Sequence, residues 1–274
     1  MAYDGYQCLR VRVDGGVAWV TIDHPPINLF DMALIQDVLR VGEELEQDGA
    51  VRVAVFESAD PDFFIAHADV ELIQTLPASP PPKPTRLGFF HAMVDRMRTM
   101  PKATIAKIAG IARGGGSEFV LSCDMRFGAL GKCVLAQPEV ALGIIPGGSG
   151  TQRLPPLVGR ARALEIVLGC DDVPADVAER WGCLNRALPP DELGPFVDRL
   201  ARRIASFPAE AIALAKEAVN AASPGVVDGL LAEADCFNRS VATAAARERM
   251  AAFMAGGGQT RDVELGKLSA LLSR

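Results

Sequence analysis

The hydrophobic pattern of this chain switches period repeatedly before about residue 190 and stops switching afterwards, a contrast that restricts the fold more than any single motif. Cys8 to Val13 and Val17 to Ile22 have the alternating or β-branched character of strands, with Asp14-Gly15-Gly16 as the turn between them. Leu34, Ile35, Val38, Leu39, Val41 and Leu45 then recur at helical spacing, behind Asp31 as an N-cap and ahead of Gly49. Val51 to Glu57 alternates again. Phe89 to Met100 reads as helix, Thr104 to Ile108 as strand, Glu118 to Ser122 as helix and Met125 to Ala129 as strand. Strands and helices that keep alternating predict an α/β fold. Between them, Pro77 to Pro84 carries five prolines in eight residues, which predicts an extended, solvent-facing loop.

Beyond residue 190 the strand signals vanish. Phe196 to Ala205, Ala209 to Ala221 and Asp228 to Met254 are Ala-rich and helically periodic, so a helical C-terminal region is expected. Gly256-Gly257-Gly258 breaks the last helix and leaves a polar tail to which no element is assigned. Division of the chain into residues 1–190 and 191–274 follows, and at 274 residues one large domain with a helical appendage fits better than several modules.

Composition narrows the partners. With 28 Lys+Arg against 34 Asp+Glu the formal charge is −6, which repels phosphate backbones and anionic membranes, so neither nucleic acid nor a membrane is expected as partner. No stretch approaches the roughly 18 apolar residues of a membrane span. The short polar start lacks the marks of a secretory signal or an Arg-rich presequence, which points to the cytoplasm. The six cysteines form no C-x-x-C pair and read as reduced packing residues. Only His24, His67 and His91 are present, too dispersed to suggest a metal site. Signatures of P-loop, zincin and nucleophile-elbow enzymes are absent.

Chemistry concentrates in two segments. In Gly110-Ile-Ala-Arg-Gly-Gly-Gly-Ser-Glu-Phe-Val-Leu-Ser-Cys-Asp124 a strand runs into three glycines and an apolar helix. Amides at a helix N-terminus lack partners and carry positive partial charge, so they can stabilise an oxygen that becomes negative during reaction. The same glycines could equally make a tight turn, with Glu118 complementing the helix dipole. In Ala136-Gln-Pro-Glu-Val-Ala-Leu-Gly-Ile-Ile-Pro-Gly-Gly-Ser-Gly-Thr-Gln-Arg-Leu154 a second carboxylate, Glu139, stands among apolar residues before a Gly-rich turn. Two carboxylates in apolar settings suggest acid/base work.

Together these segments resemble the enoyl-CoA hydratase/isomerase (crotonase) family, over about four fifths of the chain. The resemblance implies a spiral of strand–strand–helix turns, a C-terminal helical region that makes trimers or hexamers, and an acyl-CoA thioester substrate, CoA being part of that substrate and no cofactor being needed. It implies that two backbone amides, assigned to Ala66 and Gly115, hold the thioester oxygen. By the same resemblance Glu118 activates water, Glu139 delivers a proton to the α-carbon, and the Gly147 amide helps hold the water. Ala68, Asp69 and Val70 resemble the backbone stretch beside the adenine of CoA, and His67 and Pro138 are counted with them as substrate-binding candidates. An apolar pocket would keep one glutamate protonated near neutral pH and its partner charged. The activity implied is addition of water to a 2-enoyl-CoA, with double-bond isomerisation or non-catalytic acyl-CoA binding as alternatives.

The chain departs from the family where Ala66-His67-Ala68-Asp69 replaces the usual Ala-Gly-Ala-Asp, and where Arg113 precedes the glycines. The His67 ring is expected to point into solvent, the alternative being contact with substrate or CoA. Arg113 is expected to pair with a carboxylate at the surface, or else to line the CoA groove.

Overall fold

The computed structural model of the protein describes residues 3–223 and 225–273. The opening hairpin pairs β1 (Leu9–Asp14) antiparallel with β2 (Val17–Ile22) around Gly15 and Gly16, whose φ angles of 57° and 80° are ones a side chain would resist. α1 (Met32–Gln47) follows, capped by the Asp31 carboxylate, which accepts the Leu34 N–H at 3.0 Å. Its inner face buries Leu34, Ile35, Val38, Val41 and Leu45, the stripe that the spacing predicts.

Three turns of chain then each lay one strand in a large sheet and one short strand in a small sheet before closing with helix. The first is β3 (Val53–Ser58), β4 (Phe63–Ile65), α2 (Val70–Gln74) and α3 (Phe89–Thr99); the second is β5 (Ala103–Ile108), β6 (Ile111–Arg113) and α4 (Gly115–Ser122). The third is β7 (Met125–Ala129), β8 (Val134–Ala136), a 3-10 turn at Glu139–Leu142 and α5 (Gly150–Gly169). β9 (Val173–Pro174), α6 (Ala175–Trp181) and β10 (Arg186–Leu188) complete the strands. The large sheet runs β1-β2-β3-β5-β7-β10 and is parallel from β2 onward; the small one runs β4-β6-β8-β9, with only β8–β9 antiparallel. Parallel neighbours need a long crossover, and the short strand plus helix supplies it at every turn. The result is the spiral that the resemblance implies.

Aromatic packing seats the helix that matters most. Phe119, on α4, meets Phe56 of β3 edge-on at 5.1 Å and Phe30 at 6.1 Å, both fully buried; such pairs contribute about 0.5–1.5 kcal/mol each beyond the area they bury. The opposite face of the large sheet packs Trp19, Val55, Ile105 and Phe127 against α7 (Pro190–Ala205).

After α7 come α8 (Ala209–Asn220), α9 (Val226–Val241), α10 (Ala244–Ala255), α11 (Arg261–Gly266) and α12 (Leu268–Leu272). The periodic run from Asp228 to Met254 is therefore two helices. Thr243 separates them, its hydroxyl accepting the Ala246 N–H at 3.1 Å as an N-cap. The polar tail also forms helix and folds back on the spiral. The Pro77–Pro84 segment has neither helix nor strand and is almost wholly exposed.

Candidate active site

Gly114 ends β6 with φ 48° and ψ −127°, and α4 starts at Gly115. The glycines are there for close approach as much as for turning. A Cβ on Gly114 would lie 2.9 Å from Glu139 Oε1, and one on Gly116 would lie 2.3 Å from the Ile65 carbonyl oxygen. Gly115, as first residue of the helix, has an N–H without a helical acceptor.

The amide that joins it is not that of Ala66. Ala66 N–H donates to the Ile27 carbonyl at 3.2 Å and is already occupied. Two residues on, Phe30 pins the loop by donating to the His67 carbonyl at 2.9 Å and accepting from Asp69 N–H at 3.2 Å. In an extended segment successive amides point to opposite sides, so the Ala68 N–H between them faces away from Phe30. It has no acceptor among the described residues, and a Cβ on Gly115 would sit 3.4 Å from its nitrogen. The convergent amides are thus those of Ala68 and Gly115.

Both glutamates are buried beside this pair. Glu118 Oε1 accepts the N–H groups of Gly148 at 2.7 Å and Gly150 at 2.8 Å. Burial pushes its carboxyl up to about 8, the nearby Glu233 charge adds to the rise, and the two amides oppose it. Glu139 abuts Gly114 from the 3-10 turn, and burial, reinforced by the Glu118 charge, raises its carboxyl well above the usual range. With its amide oriented to donate, Gln137 places nitrogen 3.2 and 3.1 Å from the two Glu139 oxygens. Where the sequence predicts one raised and one ordinary carboxyl, shared burial raises both. The pair of amides favours the charged form of Glu118, as the Gln137 amide does that of Glu139.

The turn behind Glu118 is held from two sides. Glu233, on α9 and with its side chain fully buried, accepts Ser149 N–H at 2.6 Å, Thr151 N–H at 2.9 Å, the Thr151 hydroxyl, and His91 Nε2–H at 3.0 Å. Alternate amides from 148 to 151 therefore go to Glu118 and Glu233, which fixes a turn containing Ser149 at φ 112°. The neighbouring Gly147 N–H has no acceptor among the described residues, and a Cβ there would strike Phe237 at 2.4 Å. Phe90 of α3 touches both ends of the site, 3.5 Å from a Cβ built on Gly115 and 2.3 Å from one built on Gly148. A cavity of about 30 Å³, room for about one water, lies against His67, Ala68, Gly114, Pro138 and Glu139.

His67 does not face solvent. It is 6% exposed, its Nδ1 lies 2.8 Å from the Ala68 carbonyl and its Nε2 3.1 Å from Glu264 Oε1. Arg113 is also buried, 4% exposed, and forks onto both oxygens of Asp172 at 2.7 Å. Asp69 caps α2, and Val70 N–H donates to Gln259 Oε1 at 2.5 Å.

The family model for enoyl-CoA hydratase/isomerase matches residues 12–257. The chain belongs to that family. It is 33% identical to a short-chain-enoyl-CoA hydratase of Clostridium acetobutylicum over 88% of this chain and 92% of the relative. It is likewise 33% identical to a crotonyl-CoA hydratase of Syntrophomonas wolfei, over 91% and 95%. Among solved structures, a Streptomyces avermitilis protein provisionally described as an enoyl-CoA hydratase is 41% identical, with 98% of each chain covered and a TM-score of 0.88. An enoyl-CoA hydratase from Mycobacterium avium subsp. paratuberculosis is 26% identical over 92% and 97%, with a TM-score of 0.80.

In this enoyl-CoA hydratase/isomerase family member the structure gathers Glu118, Glu139, Gly115 and Gly147, which the sequence singles out, with Glu233, His91, Gln137 and Glu264, which it does not. Gln137 stands two residues from Glu139 in the same Gly-rich motif, a spacing that made it readable as a partner. Glu233 and Glu264 sit on C-terminal helices with no motif around them, and nothing local marks either. No group of three or more His, Cys, Asp or Glu able to hold a metal ion comes together among the described residues, and none of their helices is long and apolar enough to cross a membrane.

Proposed function

We propose that the protein is an enoyl-CoA hydratase that adds water across the double bond of a 2-enoyl-CoA thioester. The observation that carries this reading is the convergence of two acceptor-free amides, on Ala68 and Gly115, beside two buried carboxyls. The amides receive the thioester oxygen and stabilise the enolate charge that develops on it. Glu118, held through Oε1, takes a proton from water through its other oxygen as the water oxygen bonds to the β-carbon. Glu139 gives its proton to the α-carbon as the enolate collapses. A proton has then left Glu118's water and one has left Glu139, and exchange between the acids or with solvent resets the site. The addition is redox-neutral, and CoA enters as part of the substrate.

An exposed α8, with Leu214 63% and Val219 73% exposed, supports assembly as a homotrimer or hexamer. Six unpaired cysteines suit a reducing setting such as the cytoplasm. The test is to incubate the enzyme with a short 2-enoyl-CoA and identify the product. A 3-hydroxyacyl-CoA is expected. A shifted double bond would make it an isomerase, and tight binding without conversion would make it a non-catalytic acyl-CoA binder.

A further inference from the structure

The segment from Gln259 to Glu264 grips both loops that carry the convergent amides. On the Ala68 side, Glu264 Oε1 lies 3.1 Å from His67 Nε2, and Gln259 accepts Val70 N–H at 2.5 Å while its own amide donates to Asp69 Oδ1 at 3.1 Å. On the Gly115 side, directly before the glycines, Arg113 Nη1 donates to the Glu264 main-chain carbonyl at 3.0 Å and lies 3.6 Å from the side-chain Oε2. Further out, Arg261 reaches Asp60, Asp62 and the Pro26 carbonyl, at the entry to β4. The charges close on themselves. Both His67 nitrogens face acceptors, which only the imidazolium satisfies, and Glu264, with a side chain fully buried, is the counter-ion.

We propose that Glu264 is a positioning residue for the reaction: through His67 and Arg113 it sets the spacing of the Ala68 and Gly115 amides. The proposal rests on the hydratase reading given above. A histidine in place of glycine in this loop is then a handle, a side chain by which the C-terminal segment holds the backbone that stabilises the enolate. Its φ is not positive, so the substitution carries no left-handed strain. A donor displaced by an ångström loses most of its value to a transition state while still tolerating a bound ester.

The experiment compares wild type, Glu264→Ala and Glu264→Gln in hydration of a short 2-enoyl-CoA, with hydrogen–deuterium exchange of the peptide spanning 65–70 measured on the same preparations. Glu264→Ala is expected to lose at least about tenfold in kcat with KM within about threefold, and to speed exchange in that peptide. Glu264→Gln keeps an acceptor for His67 and for Gln259 N–H, 3.2 Å away, and is expected to recover most of both. Wild-type kcat and exchange in Glu264→Ala, or equal losses in the Ala and Gln variants of folded protein, would overturn the proposal. If Glu264→Ala does not fold, His67→Ala carries the test by removing the side chain that Glu264 holds, with the same direction expected and unchanged kcat and exchange overturning it. A wild type that hydrates nothing defeats the hydratase reading alone, because exchange in residues 65–70 still answers whether Glu264 holds the loop.

Discussion

Glu118 and Glu139 differ in what faces them: two backbone amides aim at the first, whereas the second faces the Gln137 side chain and a glycine turn, and the proposed roles of base and acid follow that difference. Glu118→Gln or Glu139→Gln is expected to lower kcat by about 10²–10⁴-fold while acyl-CoA affinity survives, measured by steady-state kinetics beside direct binding. The raised Glu118 carboxyl makes two further outcomes opposite in sign. As a base it must be ionised, so kcat/KM is expected to climb with pH until about 8. Its folded pKa lies above the ordinary 4.5, so its contribution to stability is full below 4.5 and is lost as pH rises through about 8. Thermal melting should therefore fall across that window, and Glu118→Gln should flatten the fall; rate and melting profiles that both stay level would contradict the assignment. These carboxylates were legible because each lies inside a contiguous motif. The acceptor-free amide was not, since what occupies Ala66 is the Ile27 carbonyl and what orients Ala68 is Phe30, partners that loop residues do not announce.

At the scale of elements, β4, β6 and β8 place the site although each is three residues long, too short to show any period. The α1 stripe and the β1–β2 hairpin were readable because they span several periods. The long run ending at Met254 read as one helix because a threonine cap leaves little trace in an Ala-rich pattern. α4 meets β4 so closely that Gly116→Ala would push a methyl to 2.3 Å from the Ile65 carbonyl. That overpacking is expected to cost about 1–3 kcal/mol, read as a lower midpoint in thermal or denaturant unfolding. Wild-type stability in that variant would mean that α4 and β4 can separate without cost.

For the whole molecule, the spiral repeats in space without repeating in sequence, because what recurs is the path of the chain and not its side chains. α8 has no buried residue and leaves Leu214 and Val219 open, a face suited to self-association; on the trimer or hexamer that the family resemblance implies, light scattering is expected to give a multiple of three chains, and a Val219→Glu variant is expected to dissociate. A monomer at micromolar concentration would leave that face unexplained. The C-terminal helices also fold back within one chain, bringing Glu233 and Glu264 to a site built from residues 66–150, a convergence visible only after folding. The most direct measurement is a structure of the enzyme with a 3-hydroxyacyl-CoA bound. The thioester oxygen should lie about 2.7–3.1 Å from both the Ala68 and Gly115 nitrogens, with the β-hydroxyl against Glu118. An oxygen held elsewhere, or held by an Ala66 amide released from Ile27, would contradict the mechanism.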